Sequence, residues 1–179
     1  MQVSGDASVL QNVRVLELGG EIGAWCGKLL ADMGAIVTKI EPLQGDPTRA
    51  YEPFYEDKPG ADRSVYFWHD NTSKRSVTLD LKSATGKKLF FELLEDADAV
   101  VESFAPRVMP SLGLDFETLR ARNRRLVLTS VSNFGQRGPY RDWKSAESST
   151  YATGGPTWPT GLTEREPSSL GHYVTTRQR

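Results

Sequence analysis

The chain has 179 residues, enough for one domain with a real core. With 38% hydrophobic and 25% charged residues it reads as a soluble globular chain, and a net charge of −1 argues against a nucleic-acid binder driven by bulk charge. A single cysteine, Cys26, excludes an internal disulfide framework, and no apolar run approaches the roughly 20 residues a membrane helix needs.

Residues 1–12, MQVSGDASVLQN, have no basic region followed by an apolar core, so they read as an N-terminal extension and not as a secretory signal. With the lone cysteine, this points to the cytoplasm. Val13 to Leu18 (VRVLEL) is short and rich in branched apolar residues, as a buried strand should be. Gly19, Gly20 and Gly23 then punctuate a turn. A helical pattern follows through Trp25, Leu29, Leu30 and Met33, and Gly34 is placed to stop it. Ile36 to Ile40 is the next strand, completing a βαβ unit that implies a parallel sheet with a right-handed crossover.

Glu41 to Arg63 breaks this rhythm with Pro42, Pro47, Pro53 and Pro59 and reads as a long surface loop. Ser76 to Asp80 is a short strand. Ser83 to Glu95 is a helix with an apolar face of Leu89, Phe90, Leu93 and Leu94. Ala99 to Glu102 is a strand, Asp115 caps another helix with Glu117 in its first turn, and Leu126 to Ser132 is a further strand. The alternation predicts a doubly wound, mostly parallel, Rossmann-like α/β sheet with helices on both faces. Val15, Ile36, Val37, Val100 and Leu128 are expected inside it. After Ser148 the pattern weakens. Gly154, Gly155, Pro156, Pro159 and Gly161 suggest turns, and the final HYVTTRQR reads as a strand or linker cut off in mid-course.

Several motifs carry possible chemistry. Gly19-Gly20-Glu21-Ile22-Gly23 opens a helix after the first strand, and Glu41 ends the second strand about 20 residues on. Part of a dinucleotide fingerprint is there, but the glycine spacing is wrong. A tight βα turn without ligand is the plainer reading. Lys74 and Arg75 precede a strand and suit either a phosphate ligand or a solvated basic pair. Phe134 to Tyr140 (FGQRGPY) is either a turn closed by Pro139 or a glycine segment that lets a ligand approach the backbone.

Three segments in order, LLADMGAIVTKIEPLQGDPTR (29–49), NTSKRSVTLDLKS (71–83) and DAVVESFAPRVMPSLGL (98–114), resemble the first part of a family III coenzyme A transferase of the CaiB/BaiF type. The resemblance runs from about Val13 to Gly171. It implies transfer of coenzyme A between carboxylic acids, with coenzyme A or acyl-CoA as substrate and no covalently bound cofactor or metal. It implies no nucleic acid or membrane partner, and an interlocked dimer. By this match Leu79, Lys82, Ser103, Phe104 and Lys144 are the residues that bind the coenzyme. Ser103 and Phe104 stand at the family's asparagine-phenylalanine pair. Phe104 either stacks on adenine or belongs to the core. Glu147 is the supporting carboxylate near the reacting centre; a capping or surface pair with Lys144 is its alternative.

The resemblance implies an aspartate nucleophile about thirty positions after the Lys144/Glu147 region. That place falls near Thr176, and no aspartate follows Asp142. Glu164 and Glu166 come too early, and His172 does not align with the histidine of the racemase branch. The expected organisation is an extension (1–12), a Rossmann-like coenzyme A-binding domain (13–155) and a turn-rich segment (156–179) leading to a missing second domain. The chain is expected to be a fragment or a non-catalytic half, inactive alone and dependent on the remaining polypeptide or a second subunit. An NAD-dependent oxidoreductase is the alternative, supported by Glu41 alone.

Overall fold

A computed structural model describes residues 8–155 and 164–165. They divide into two compact units, one ending at Ser132 and one starting at Asn133. The first unit holds a five-stranded sheet in which every pairing is parallel. Its strands are β1 (Arg14–Leu18), β2 (Ile36–Glu41), β3 (Arg75–Thr78), β4 (Ala99–Glu102) and β5 (Val127–Ser130). Their order across the sheet is β3-β2-β1-β4-β5. Arg14 stands opposite Ile36, and Val15 opposite Ala99. This is the doubly wound α/β arrangement that the alternating pattern predicts.

Strand periodicity sorts the core into two faces. Leu16, Leu18, Ile40 and Val100 point to one side. There they meet Phe90 and Leu94 from α3 (Ala84–Glu95), Met109 from α4 (Val108–Ser111) and Leu119 from α5 (Phe116–Arg122). Val15, Val37 and Val101 point to the other side, where Ala31 of α1 (Glu21–Asp32) covers them. Helices therefore lie on both faces. Val15, Val37 and Val100 are buried as expected, whereas Ile36 and Leu128 are only half-buried. Leu128 lies in β5, which has a partner strand only on its β4 side.

Helix α1 departs from the expected apolar pattern. Its buried residues are Gly23, Ala24, Gly27 and Ala31, while Trp25, Leu29 and Met33 are 45–48% exposed. Gly27 lies on the large charged side chains of Glu17 and Lys74, Gly23 lies on Ser103, and Ala31 lies on the valines. The helix ends at Asp32, and Gly34 follows at φ +99°, a left-handed value that suits glycine. In α3, Phe90 and Leu94 carry the burial and Leu89 and Leu93 stay partly exposed.

The expected long loop contains two short 3-10 turns, Pro47–Ala50 and Tyr55–Asp57, and leads into α2 (Val65–Asn71). Ser64 caps α2 by accepting a hydrogen bond from the Phe67 N–H at 3.1 Å. The same hydroxyl donates to the Tyr51 carbonyl at 2.7 Å, tying helix to loop. β3 ends at Thr78, so Leu79 and Asp80 lie just past it. The second unit carries α6 (Glu147–Thr153). Among the described residues no helix is long and apolar enough to cross a membrane.

Candidate active site at the carboxyl edge of the sheet

In a doubly wound sheet, ligands bind outside the carboxyl ends of the strands, where the strand order reverses. Here the reversal lies between β1 and β4. The turn after β1 is Gly19-Gly20, and the turn after β4 begins at Ser103. They pack directly on each other. A Cβ on Gly19 would sit 2.4 Å from Ser103 Oγ, and one on Gly23 would sit 3.0 Å from Ser103 Cβ. Gly19 also has φ +97°, so both its conformation and its neighbour require glycine. The Ser103 N–H donates to the Leu18 carbonyl at 3.0 Å. Ser103 thus occupies the crevice itself.

Phe104 follows, its N–H donating to Glu102 Oε2 at 2.9 Å. Its half-buried ring packs against the apolar cluster on the α3 side. The ring thus packs on the core and keeps part of its surface open.

Leu79 and Lys82 sit at the same edge, past β3. β2 and β1 lie between β3 and β4, so Leu79 is three strand spacings, about 14 Å, from Ser103. The Leu79 N–H donates to the Glu41 carbonyl at 2.9 Å, and its side chain is buried in the core. A ligand at this edge would meet its backbone, not its side chain. Lys82 is exposed. It lies in a tight turn where the Lys82 N–H donates to Asp80 Oδ1 and Ser83 Oγ donates to the Asp80 carbonyl. Gly86 lets α3 close on this turn, since a Cβ there would meet the Asp80 carbonyl oxygen at 2.0 Å. The structure therefore brings Ser103 and Phe104 together after β4, and Leu79 and Lys82 together after β3.

Lys144 and Glu147 belong to the second unit. Lys144 is exposed, and Glu147 is the first residue of α6. The Glu147 side chain and Thr176 lie outside the described residues.

Beside the glycine turn lies a buried ionic cluster that the sequence pattern did not announce. Glu17, Lys39, Glu41 and Asp46 are each less than 5% exposed. Lys39 Nζ contacts Glu17 Oε1 at 2.9 Å, Asp46 Oδ2 at 2.9 Å and the Gly19 carbonyl at 3.3 Å. Burial works to lower the Lys39 ammonium pKa, but the Glu17 and Asp46 carboxylates reverse that and leave it raised. Lys74 Nζ forms an ion pair with Glu17 Oε2 at 2.8 Å. It donates hydrogen bonds to the Ala24 carbonyl at 2.7 Å and Asn71 Oδ1 at 2.9 Å. Burial pushes Lys74 below the usual lysine range, with Glu17 acting against it. Lys74 is therefore internal, unlike the solvated or phosphate-binding cation its sequence context allows. Arg75 is exposed. Gly27 makes the cluster possible, because a Cβ there would lie 1.7 Å from Glu17 Oε2.

A second pair adjoins it. Glu41 Oε2 accepts from Arg49 Nε at 2.8 Å and Oε1 from Arg49 Nη2 at 2.8 Å. The Asp46 N–H and Ser76 Oγ complete the set at 2.7 and 2.5 Å. Burial would raise the Glu41 pKa. The bonds from Arg49, Ser76 and the Asp46 N–H outweigh it and hold the carboxyl down at about 2. The Arg49 guanidinium also lies 3.9 Å from the Phe67 ring centroid and 2.8 Å from Asp62, so it joins sheet, loop and α2. This removes the support for an NAD site. The Glu41 carboxylate is spent inside the protein and has no capacity left for a ribose.

Comparison with known proteins places these features in a family. The chain is 39% identical over 169 residues to succinate–glutarate CoA-transferase from Agrobacterium fabrum, covering 92% of this chain and 42% of that one. It is 38% identical over 170 residues to formyl-CoA:oxalate CoA-transferase from Afipia carboxidovorans, covering 94% and 39%. A CAIB/BAIF family protein from Brucella suis superposes with TM-score 0.83 at 34% identity, covering 92% of this chain and 44% of that one. The chain spans about two-fifths of the length of the relatives it matches. The model of CoA-transferase family III matches residues 10–176, and the chain belongs to that family.

Proposed function

We propose that this chain is the coenzyme A-binding part of a family III transferase that moves coenzyme A between carboxylic acids. The observation that carries the reading is the Ser103–glycine-turn contact at the point where strand order reverses, inside a chain matched almost end to end by the family. Ser103, the open part of the Phe104 ring and the Leu79 backbone are assigned to the coenzyme. Lys82 and Lys144 are the exposed cations for its phosphates. Glu147 is the supporting carboxylate. The acyl groups and acceptor acids are those of small carboxylic acids, the class named for the two relatives.

Transfer in this family needs a carboxylate that attacks the thioester carbonyl and expels the coenzyme A thiolate. The sequence has threonine at 176, where that carboxylate is expected, and no aspartate after Asp142. A threonine hydroxyl is almost un-ionised near neutral pH. We therefore assign binding without turnover to residues 1–179. Further polypeptide or a second subunit supplies the nucleophile, in a dimer located in the cytoplasm. Incubation with labelled acyl-CoA, trapping with hydroxylamine and mass spectrometry test this. No adduct on the chain is expected. A covalent adduct on Glu147, Glu164 or Glu166, or steady transfer to an acceptor acid, would overturn it.

A further inference from the structure

Glu17 lies near the end of β1 and is fully buried, with each carboxylate oxygen facing an ammonium group. Oε1 is 2.9 Å from Lys39 Nζ, and Oε2 is 2.8 Å from Lys74 Nζ. Both lysines also reach the main chain. Lys39 Nζ donates to the Gly19 carbonyl at 3.3 Å, and Lys74 Nζ to the Ala24 carbonyl at 2.7 Å. These carbonyls bracket residues 19–24, which are the glycine turn and the start of α1. Ser103 rests on the same segment, at Gly19 and Gly23.

Stability alone is a weak reason for this arrangement. Desolvation offsets much of the attraction in a buried ion pair, and hydrocarbon of similar volume often serves as well. The strand neighbours Val15, Leu16 and Leu18 are all buried apolar residues, so another would suit position 17. Hydrocarbon, however, cannot donate a hydrogen bond to a carbonyl. The 19–24 segment needs such donors because it has little of its own to fix it. Gly20 stands at the N-cap of α1, which has no side-chain cap, and Gly19 and Gly23 carry no side chain either.

We infer that Glu17 is a positioning residue for the coenzyme site. Through Lys39 and Lys74 it holds the 19–24 segment against Ser103, and so sets the shape of the crevice. This rests on the coenzyme A reading and adds to it a residue that acts only through its neighbours. Glu17→Gln keeps the side-chain shape but leaves Lys74 without its carboxylate. Glu17→Gln with Lys74→Met removes one charge of each sign and keeps the Lys39–Asp46 pair, so the interior stays balanced in charge. Leu94→Val, in the buried apolar cluster, is the control for stability alone.

Amide exchange of the unliganded chain, followed by NMR, and calorimetric titration with coenzyme A test it. The Asp98 and Ser103 N–H groups bracket β4 and donate to opposite ends of β1, at the Arg14 and Leu18 carbonyls. In both Glu17 variants the Ser103 amide is expected to exchange about 10-fold faster relative to Asp98 than in wild type, and coenzyme A to bind roughly 10-fold more weakly. Leu94→Val should speed both amides alike and leave coenzyme A affinity within about twofold. Equal loosening at both ends of β4, or wild-type coenzyme A affinity in the double variant, would make the cluster merely structural and overturn the inference. Selective loosening at Ser103 in a chain that binds no coenzyme A even as wild type would keep Glu17 as the residue that positions the turn and sink the coenzyme reading. If Glu17→Gln fails to fold, the charge-balanced double variant decides by the same two readings.

Discussion

The two faces of the sheet are built by opposite means. On the α3 side, hydrocarbon packs on hydrocarbon, with Phe90, Leu94, Leu114 and Leu119 fully buried. On the α1 side, the sheet buries Glu17, Lys39 and Glu41 beside a smaller apolar cluster of Val15, Val37 and Val101, with Gly27 of α1 resting on Glu17. The first face obtains stability from area removed from water, which tolerates modest reshaping. The second depends on every charge keeping its partner, because a buried ion without one is costly. The charged face is also the one that holds the Gly19 carbonyl and the 42–64 loop beside the proposed site. The fold therefore places its less forgiving chemistry where geometry at the carboxyl edge matters.

Removing one charge from the cluster should be among the largest single effects. Lys39→Ala leaves Glu17 and Asp46 facing each other without their shared cation, and should cost about 3–5 kcal/mol in urea unfolding. Phe90→Ala on the opposite face should cost a similar ~3–5 kcal/mol through its cavity. The two differ in what rescues them. Phe90→Leu should recover most of the loss, whereas Lys39→Met should recover little. Equal rescue would erase the contrast between the faces.

Gly27→Ala comes next. Alanine is ordinarily the better helix former. Here its methyl group would land 1.7 Å from Glu17 Oε2, so a loss of about 1–3 kcal/mol is expected. A stabilised variant would mean that α1 does not lie tightly on the cluster.

Acid sharpens the comparison further. Glu41 titrates at about 2 in the folded chain against an ordinary 4.5. A depressed carboxyl contributes stability fully above about 4.5, and the contribution is lost as pH falls from there toward 2. Arg49→Met removes the group that lowers Glu41 while burial still raises it, so acid unfolding should begin at higher pH. Phe90→Leu should lower stability by the same amount at every pH and leave the slope of stability against pH unchanged. Urea unfolding followed by circular dichroism between pH 2 and 7 reads both. The smallest effect is expected at Val127 in β5, which is 60% exposed, where Val127→Thr should change stability by less than about 0.5 kcal/mol.

The sequence made the apolar face legible and the charged face nearly invisible. Branched runs such as VRVLEL and LVLTSVS identify strands through local composition, and the alternation of strands and helices identifies the sheet. Trp25, Leu29 and Met33 form a convincing apolar pattern, but they face outward because α1 presents Gly27 to Glu17 and Lys74 and its other small residues to the sheet. Nothing local to Lys39 indicates burial, since its partners lie 22 residues before it and 7 after it in the chain. The short helices α2 and α4 escaped detection, being too brief for helical periodicity to appear. Ser64 before an apolar run was the available signal for α2. At the site, Ser103 and Lys82 were reached through motif resemblance. Their packing partners Gly19 and Gly86 required coordinates to interpret.

The most direct test of the central claim is calorimetric titration of the chain with coenzyme A and with NAD. Saturable heat from coenzyme A is expected, diminished in Lys82→Ala and Lys144→Ala, with no heat from NAD. Binding of NAD, or coenzyme A binding indifferent to both lysines, would contradict the account.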